Sequence, residues 1–400
     1  MKILGVIVEY NPFHSGHAYH LEKSISMTNA THTIAVMSGN FVQRGEPALM
    51  DKWTRAKIAV DNGVDLVIEL PFVNAISSAE KFAFGSISIL DQMGIVNDIV
   101  FGSENGNVDT IEGIADYLVN ENDEYKEALQ RFLSKGISFP AARDSALREL
   151  TVNVEQLKSN DILGIEYIKA VKQLGSDIKY HALQRQNVDY HSLDVVDSFA
   201  SATGIRNQIK KNDFLGVRFS VPAMTYNYIS DYRNFLFIDD YYEILRYKIL
   251  SESSEYLSEI HEVAEGIENR IIESMKKSTD MTTFLENVKT KRFTMTRIKR
   301  IMLNILFDVK TKEVDEYDLL TPKYLNILAA DDKGLEILRL LKKNEDLNII
   351  TNLSKFTTED PLLKRQLQLD LKASDLYSIL KKEQLGQDYL NTPYIKKHLK

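Results

Sequence analysis

Residues 1–24, MKILGVIVEYNPFHSGHAYHLEKS, decide the fold. Residues 2–8 form an apolar, β-branched run with no charge after its first residue, which is typical of a strand buried on both faces of a parallel sheet. Asn11-Pro12 ends the run, because proline cannot join a strand ladder. A helix is predicted to begin near residues 15 and 16. Strand, short loop and helix start thus follow within about twenty residues, an arrangement that presents backbone N–H groups and the positive end of a helix to a phosphate.

The motif His14-Ser15-Gly16-His17 lies in this turn. Two imidazoles three positions apart at a helix start can both donate hydrogen bonds to one phosphate, and Gly16 has no side chain to obstruct the ligand. The alternative is an ordinary N-cap turn with two solvated histidines, which the preceding buried strand and Asn-Pro break disfavour. A zinc site is disfavoured because the chain has no cysteine and no third ligand stands nearby, so no metal ligand is assigned.

The composition restricts the class of protein. Four hundred residues, 44% of them hydrophobic, are enough for a large core and indicate two domains. No segment is long and apolar enough to span a bilayer, and the chain enters a strand without a signal-peptide pattern. Together with the absence of cysteine, these features predict a cytoplasmic protein. The net charge of −8 argues against indiscriminate nucleic-acid binding, so an RNA contact requires a local basic surface.

Alternating strand and helix patterns continue after the first turn. Further strands are predicted at 33–37, 64–70, 95–101 and 177–184, with helices at 52–62 and 80–93. This alternation at short spacing indicates βαβ units and therefore an α/β fold with a parallel sheet. Beyond about residue 215 the pattern changes to long helical segments, predicted at 240–275, 281–308, 323–343 and 373–383. The domains are accordingly predicted to be 1–215 and 216–400.

Three further candidate residues lie at the ends of predicted strands. Arg44 lies in the glycine-containing loop 38–47, at the sheet edge where open α/β folds bind ligands, and is a candidate for a phosphate or RNA contact, with a plain connector as the alternative. Gly102 can let a nucleoside lie on the backbone, although a turn glycine explains it equally well. Arg185 follows a strand and is placed to bind a phosphate with two hydrogen bonds, against the alternative of a surface ion pair.

The segment 289–300, KTKRFTMTRIKR, carries six basic residues and no acidic one. In a chain of net negative charge this predicts a local surface of positive potential, on which Phe293 could stack against an unpaired base. A solvated helix face is the usual explanation of a charge run, and the one-sided charge gives RNA contact equal standing with it.

Residues 5–21, GVIVEYNPFHSGHAYHL, resemble the signature of the HxGH nucleotidyltransferase superfamily and, more closely, that of the bacterial tRNA(Met) cytidine acetate ligase family. Residues 201–206, SATGIR, resemble the second signature of the superfamily, Ser/Thr-x-x-Arg, with Gly204 where alanine or lysine is usual. The resemblance covers essentially the whole chain. It implies a Rossmann-like, doubly wound parallel sheet of the HxGH type at 1–215, as the ATP-binding catalytic domain, and a C-terminal mainly α-helical, tRNA-binding domain at 216–400.

The resemblance also implies the reaction. In this family acetate attacks the α-phosphate of ATP, pyrophosphate leaves, and N4 of the wobble cytidine of elongator tRNA(Met) takes the acetyl group from acetyl-adenylate, which yields N4-acetylcytidine and AMP. Mg²⁺ is expected with ATP, although its ligands cannot be placed. The expected partners are elongator tRNA(Met) and acetate, with no membrane and no DNA.

The site residues follow from the motifs and the resemblance together. His14 and His17 are the predicted catalytic residues. Asn160, which by itself is an ordinary N-cap candidate with Asp161, enters the nucleotide pocket through the resemblance. The predicted ATP-binding residues are Ile7, Val8, Glu9, Tyr10, Asn11, Pro12, Phe13, His14, Ser15, Gly16, His17, Ala18, Tyr19, His20, Gly102, Asn160, Arg185, Ser201 and Arg206. The predicted tRNA-binding residues are Arg44, Lys291, Arg292, Arg297, Lys299 and Arg300.

Two other functions stay open at this point. One is a nucleotidyltransferase that adenylylates a small phosphorylated metabolite, and the other is a non-catalytic RNA-binding protein that retains a nucleotide fold. The long helical extension with its basic segment counts against the first, since a small substrate needs neither. The complete His-Ser-Gly-His turn counts against the second.

Overall fold

The computed structural model describes residues 1–104, 106–120, 123–150, 158–185, 201–316 and 318–397. The strands in these ranges are β1 Ile3–Val8, β2 His32–Ser38, β3 Phe41–Val42, β4 Glu46–Pro47, β5 Leu66–Leu70, β6 Asp98–Ser103, β7 Lys179–Gln184, β8 Leu325–Ala330, β9 Ile349–Ile350 and β10 Tyr394–Ile395.

The helices interleave with these strands and then dominate the second half of the chain. Up to residue 210 they are α1 Ser15–Thr28, α2 Lys52–Asp61, α3 Phe72–Ala75, α4 Ala79–Gln92, α5 Val108–Asn120, α6 Asp123–Leu133, α7 Phe139–Leu150, α8 Ser159–Leu174 and α9 Ala202–Lys210. The later helices are α10 Phe214–Ser220, α11 Ala223–Asp231, α12 Tyr242–Ser251, α13 Ser254–Ser258, α14 Ile267–Lys277, α15 Met281–Val288, α16 Met295–Phe307, α17 Thr311–Glu316, α18 Asp332–Leu341, α19 Pro361–Lys381 and α20 Gln387–Leu390, with 3₁₀ turns at Ile238–Tyr241 and Leu353–Lys355.

The large sheet has the strand order β10-β8-β5-β2-β1-β6-β7, with β9 paired to β8. β1 pairs in parallel with both β2 and β6, and β5 and β7 continue the parallel arrangement on either side. The chain therefore winds outward through β2 and β5 and then crosses to β6 and β7 on the other side of β1. The carboxyl ends of β1 and β6 form the switch point at which open α/β sheets bind ligands. The predicted doubly wound parallel sheet is confirmed.

Helices cover both faces of the sheet. Alternate residues of β2 point to opposite sides, as the strand period requires. Ile34 and Val36 pack with α4 and α8 on one face, whereas Ala35 and Met37 pack with α1 and α2 on the other. A third apolar cluster lies among α12, α14, α15, α16 and α19. None of the helices in the described part of the chain combines the length and the apolar character that a bilayer crossing requires.

β8 comes from a segment that we predicted to be helical, 323–343. It runs antiparallel to β5 and lies inside the sheet, so the prediction is wrong for Leu325–Ala330. Its six residues, LNILAA, form a short apolar run, and such a run suits a buried strand as well as part of a helix. The sheet thus takes strands from both sides of residue 215, and the division of the chain into two domains at that point stays a prediction.

A buried ionic cluster joins the sheet to the carboxyl-terminal helices. The Nζ of Lys52, which is 1% exposed, lies 2.8 Å from Glu69 and 2.9 Å from Asp388. Burial lowers the pKa of Lys52, but Asp388 and Glu69 outweigh it and raise the pKa above its ordinary value, so the side chain stays charged. Burial, and then Glu69, raise the pKa of the nearby Asp370 to about 8. Removal of the cation would leave the buried carboxylates uncompensated, which is costly in a protein interior.

Lys52→Met tests this cluster. The variant leaves two buried carboxylates without their cation, and we expect it to lower the free energy of unfolding by about 3–5 kcal/mol in urea denaturation followed by circular dichroism. The control is Lys126→Met on the exposed face of α6, for which we expect a change within about 0.5 kcal/mol. A loss below about 1 kcal/mol for Lys52→Met would show that the buried carboxylates do not depend on this cation.

Candidate active site

The predicted histidine turn forms the start of α1 directly after β1. His14 is the N-cap, and its Nδ1 accepts a hydrogen bond from the N–H of Gly16 at 3.1 Å. Nδ1 of His17 accepts one from the N–H of His14 at 3.3 Å. In a neutral imidazole the other nitrogen then carries the proton. The backbone therefore fixes both rings as Nε2–H donors.

Both histidines are held in the neutral form. Their rings stack with centroids 3.7 Å apart. Burial lowers the pKa of His14 to about 4, with further lowering by Arg185 and Arg206. Burial also lowers the pKa of His17 well below its ordinary value, followed by the effects of His14, His20 and Arg185. At neutral pH the turn thus offers uncharged donors, and the arginines supply the positive charge.

The helix α9 lies against this turn. Its N-cap, Ser201, accepts a hydrogen bond from the N–H of Gly204 at 3.1 Å, so the second signature lies at the start of a helix. Arg206 donates to the carbonyl oxygen of Asn11 at 2.9 Å and to the hydroxyl of Thr203 at 3.1 Å. The two predicted signatures, far apart in sequence, are therefore neighbours in space.

The loop that carries Arg44 closes another side of the site. The guanidinium of Arg44 is exposed and donates to the hydroxyl of Thr203 at 3.3 Å. The N–H of Gln43 donates to Oε1 of Glu9 at 3.0 Å. The predicted irregular loop 38–47 contains the short β3–β4 hairpin, which places Gln43 and Arg44 beside the end of β1.

The predicted nucleoside residues lie on the other side of the switch point. Gly102 is in β6, and the backbone N–H of Arg185 donates to the carbonyl of Ser103, at the end of that strand, at 2.8 Å. A Cβ at Gly102 would lie 3.6 Å from the side chain of Arg185. Asn160 is in the first turn of α8, and its Nδ2 donates to Glu104 at 2.5 Å. Since Arg185 also lowers the pKa of both histidines, these residues converge on one cleft.

Neither Asn160 nor Asp161 is the N-cap of α8, contrary to our prediction. Lys158 occupies that position, without a side-chain hydrogen bond. The carboxylate of Glu104 accepts from the backbone N–H groups of Asn160 at 3.4 Å and Asp161 at 3.1 Å, a favourable placement of negative charge at the positive end of a helix. Asp161 instead accepts from the hydroxyl of Ser103 at 2.5 Å. Glu104, which accepts these hydrogen bonds, directly follows β6 and lies 56 residues before Asn160 in the chain. The sequence around α8 therefore contains no signal for this cap.

Arg55 is a residue that sequence reasoning missed. It is 1% exposed, and its guanidinium donates to the carbonyl oxygens of Met50 at 3.0 Å, Glu9 at 2.5 Å and Ser38 at 2.9 Å, and to that of Gly39. It thus connects the carboxyl ends of β1 and β2. The signal that could have found it is an arginine placed among the apolar positions of a predicted helix.

Two of the predicted tRNA-binding residues in segment 289–300 are neutralised by acids from elsewhere in the chain. Lys299 pairs with Glu46 at 2.5 Å. Arg300 is 7% exposed and pairs with Glu262 at 3.1 Å. A side chain this buried does not reach a phosphate, so the prediction that Arg300 contacts tRNA is wrong. The segment itself contains no acidic residue, but Glu46 and Glu262, which are distant in sequence, neutralise these two side chains. The local sequence therefore overestimated the positive charge of this surface.

The aromatic residue of the same segment is also buried. Phe293 is 4% exposed, and the guanidinium of Arg297 lies 4.5 Å from its ring centroid, so the prediction that Phe293 stacks on a base is wrong. The exposed basic side chains include Lys291 and Arg292. Arg292 pairs with Glu265 at 2.8 Å, but both side chains are solvated, and such pairs contribute little. The exposed positive charge of the segment is therefore concentrated at its start.

The chain is similar to known proteins over nearly its whole length. The family model of the HIGH nucleotidyl transferases matches residues 1–391. A tRNA(Met) cytidine acetate ligase from Acetivibrio thermocellus is 41% identical over 94% of each chain, and one from Alkaliphilus metalliredigens is 38% identical over 100% of each. The crystal structure of Thermotoga maritima TmcAL bound with alpha-thio ATP superimposes with a TM-score of 0.92 at 38% identity and covers 100% of both chains. The apo form I of that protein gives 0.92 at 37% identity.

The protonation of the two histidines can be measured directly. We expect long-range ¹H–¹⁵N NMR spectra to show His14 and His17 as neutral Nε2–H tautomers from about pH 8 down to about pH 5.5, because their lowered pKa values keep them uncharged well below the ordinary value of about 6.5. His14→Asn and His17→Asn provide the assignments. An ordinary titration near pH 6.5 for either ring would contradict the prediction.

Proposed function

The chain belongs to the tRNA(Met) cytidine acetate ligases, a family of ATP-dependent ligases within the HIGH nucleotidyl transferases, and we propose that it acetylates N4 of the wobble cytidine of elongator tRNA(Met) through an acetyl-adenylate. The observation that carries the proposal is the pair of neutral Nε2–H donors at the start of α1, with two arginines beside them. Hydrogen-bond donors and positive charges of this kind stabilise negative charge on a phosphate.

Two uncharged donors suit the first step of the reaction. The carboxylate of acetate attacks the α-phosphorus of ATP, and pyrophosphate leaves, so negative charge must be stabilised on the α-phosphate oxygens in the transition state. His14 and His17 donate to these oxygens from Nε2. Arg185 and Arg206 balance the charge of the remaining phosphates. A carboxylate is already ionised at neutral pH, so this step requires no base.

The nucleotide is assigned to the cleft between the carboxyl ends of β1 and β6. Gly102 and Asn160 are placed on the nucleoside side of this cleft, and Ser201 with Arg206 on the side of the β- and γ-phosphates. Residues 7–20 form the end of β1 and the histidine turn between the two sides. In the described ranges no group of three His, Cys, Asp or Glu side chains could hold a metal, and Mg²⁺ commonly binds ATP with few protein ligands. We assign no ligand to it.

The anticodon loop is assigned to the face that carries Arg44, Lys291 and Arg292. Arg44 is exposed next to the cleft, where its hydrogen bond to Thr203 places a positive charge close to the second signature. Lys291 and Arg292 are exposed at the start of the basic segment 289–300, whose later residues Lys299 and Arg300 lie against Gly45. A wobble base is already unpaired, so its presentation to the cleft costs little unstacking energy.

His17→Ala tests the activation step. We expect acetate-dependent exchange of pyrophosphate into ATP, measured without tRNA, to fall by at least about 100-fold, because one donor to the α-phosphate is lost. The control is His32→Ala, which removes a histidine at the amino end of β2, away from the cleft. We expect its rate of pyrophosphate exchange to stay at the wild-type value. If the wild-type protein showed no exchange with acetate but adenylylated a phosphorylated metabolite, the alternative nucleotidyltransferase function would replace our proposal.

The tRNA face is tested by the double variant Lys291→Ala/Arg292→Ala. Loss of two phosphate contacts to an anticodon loop should weaken tRNA binding and reduce the slope of log Kd against log salt concentration by about 1.4. Lys342→Ala/Lys343→Ala, two exposed lysines after α18, removes the same charge elsewhere and should leave the slope unchanged. Equal slopes for the two double variants, measured by filter binding across a salt series, would place the tRNA on another face.

A further inference from the structure

The second step of the proposed reaction requires a proton acceptor that the histidines cannot provide. When N4 of cytidine attacks the acetyl group, the amine must lose a proton. His14 and His17 already carry a proton on Nε2, and their Nδ1 atoms accept backbone hydrogen bonds. Their lowered pKa values further oppose a second proton. The base must therefore be another side chain of the cleft.

Most carboxylates around the cleft are engaged. Glu104 accepts from Nδ2 of Asn160 with Oε1 and from the N–H of Asp161 with Oε2. Asp161 accepts from the hydroxyl of Ser103 and from the N–H of Glu104. The carboxylates of Glu104 and Asp161 thus connect the end of β6 with the start of α8. Protonation of either carboxylate would weaken these hydrogen bonds. They hold the cleft in shape and are poorly suited to exchange protons in each turnover.

Glu46, on the loop beside the cleft, is also engaged. Its Oε1 lies 2.5 Å from Nζ of Lys299, and both side chains are about four-fifths buried. Protonation of Glu46 would break this ion pair, so the carboxylate is already occupied by a structural contact.

Glu9 differs from these groups. Its Oε1 accepts from the N–H of Gln43 at 3.0 Å, whereas Oε2 has no hydrogen-bond donor in the part of the chain that the structure describes. Glu9 follows directly after β1 at the switch point, and Arg55 fixes its position through the Glu9 carbonyl at 2.5 Å. The residue is mostly buried but keeps part of its surface exposed, and a substrate in the cleft would reach it from that side. We propose that Oε2 of Glu9 is the base that takes the proton from N4 of cytidine, an inference that rests on the proposed function.

The step balances in atoms and charge. N4 forms a bond to the acetyl carbonyl carbon, and the bond from that carbon to the adenylate oxygen breaks. AMP leaves with the bonding electron pair, one N4 proton passes to Oε2 of Glu9, and the product keeps the other N4 proton. Glu9 then loses its proton to water. No further reactant is required.

The surroundings of Glu9 tune its basicity. Burial raises its pKa above the ordinary value, against the lowering effects of the Gln43 N–H and of Arg44, Arg206 and Arg55. Tyr167 on α8 also lies within range of its charge. A raised pKa makes the carboxylate a stronger base than an ordinary glutamate. It also means that acetyl transfer loses its base as the pH falls through that raised pKa.

Glu9→Gln separates the two chemical steps. Glutamine keeps the size of the side chain and an oxygen for the Gln43 N–H, but it cannot take a proton. Adenylation is followed by acetate-dependent pyrophosphate exchange, and transfer by single-turnover acetylation of tRNA by preformed enzyme-bound acetyl-adenylate. We expect transfer to slow by about 100-fold or more and the ratio of transfer to adenylation to fall at least about tenfold. Glu9→Asp, which keeps a carboxylate, should recover part of the transfer rate.

The pH profile distinguishes a base from a structural group. The wild-type transfer rate should rise with pH and then level, whereas the residual rate of Glu9→Gln should lack this dependence. Glu46→Gln, a carboxylate already paired with Lys299, is the control and should leave the ratio of the two steps unchanged. A ratio unaltered in Glu9→Gln, or an unaltered pH profile, would overturn the assignment of the base. Absence of any exchange in the wild-type protein would instead overturn the proposed function.

Discussion

The buried guanidinium of Arg55 holds together the sheet edge on which the site is built. Carbonyl oxygens at the carboxyl ends of parallel strands have no ladder partner and concentrate negative charge there. Arg55 donates to those of Glu9, Ser38 and Gly39 and so fixes the exits of β1 and β2. A buried carbonyl left without a donor costs about 1–3 kcal/mol, so one side chain satisfies several costly groups. The histidine turn starts five residues beyond one of these anchors.

The carboxyl-terminal helices complete the site from outside. Gly45 has a φ of 75°, and a Cβ there would lie 2.6 Å from the backbone nitrogen of Arg300, so only glycine lets the hairpin lie on α16. Phe41, at the start of the same hairpin, packs 5.4 Å from Phe307 and 6.4 Å from Tyr377 between ring centroids. The loop beside the cleft is therefore positioned by residues from the second half of the chain. These contacts give the helices a direct physical connection to the cleft in which we propose that the nucleotide binds.

Neutral histidines are placed beside arginines at a cost in stability. Burial lowers the pKa values of His14 and His20 to about 4. As the pH falls below the unfolded value of about 6.5, the unfolded chain binds protons that the folded chain does not, so these groups destabilise the fold progressively between about pH 6.5 and pH 4. In return the Nε2–H donors of His14 and His17 stay uncharged near neutrality. The proposed contacts of these two rings with a phosphate then do not depend on a change in their protonation.

The sequence by itself determined the first strand-turn-helix unit and an α/β fold with a parallel sheet, because these depend on local chemistry: apolar runs, a proline break and short spacing between strands and helices. The doubly wound order followed from the resemblance to the nucleotidyltransferase family and not from local pattern. It did not determine β8, since a short apolar run has no period that separates strand from helix. Only the tertiary structure decided that Arg55 donates hydrogen bonds to carbonyl oxygens at the ends of β1 and β2. It also decided that Arg300 and Phe293 are buried. It alone also decided that Glu9 has one oxygen without a donor among the described residues. The physical reason is that burial and the pairing of charges depend on residues far apart in sequence, which local pattern does not bring together.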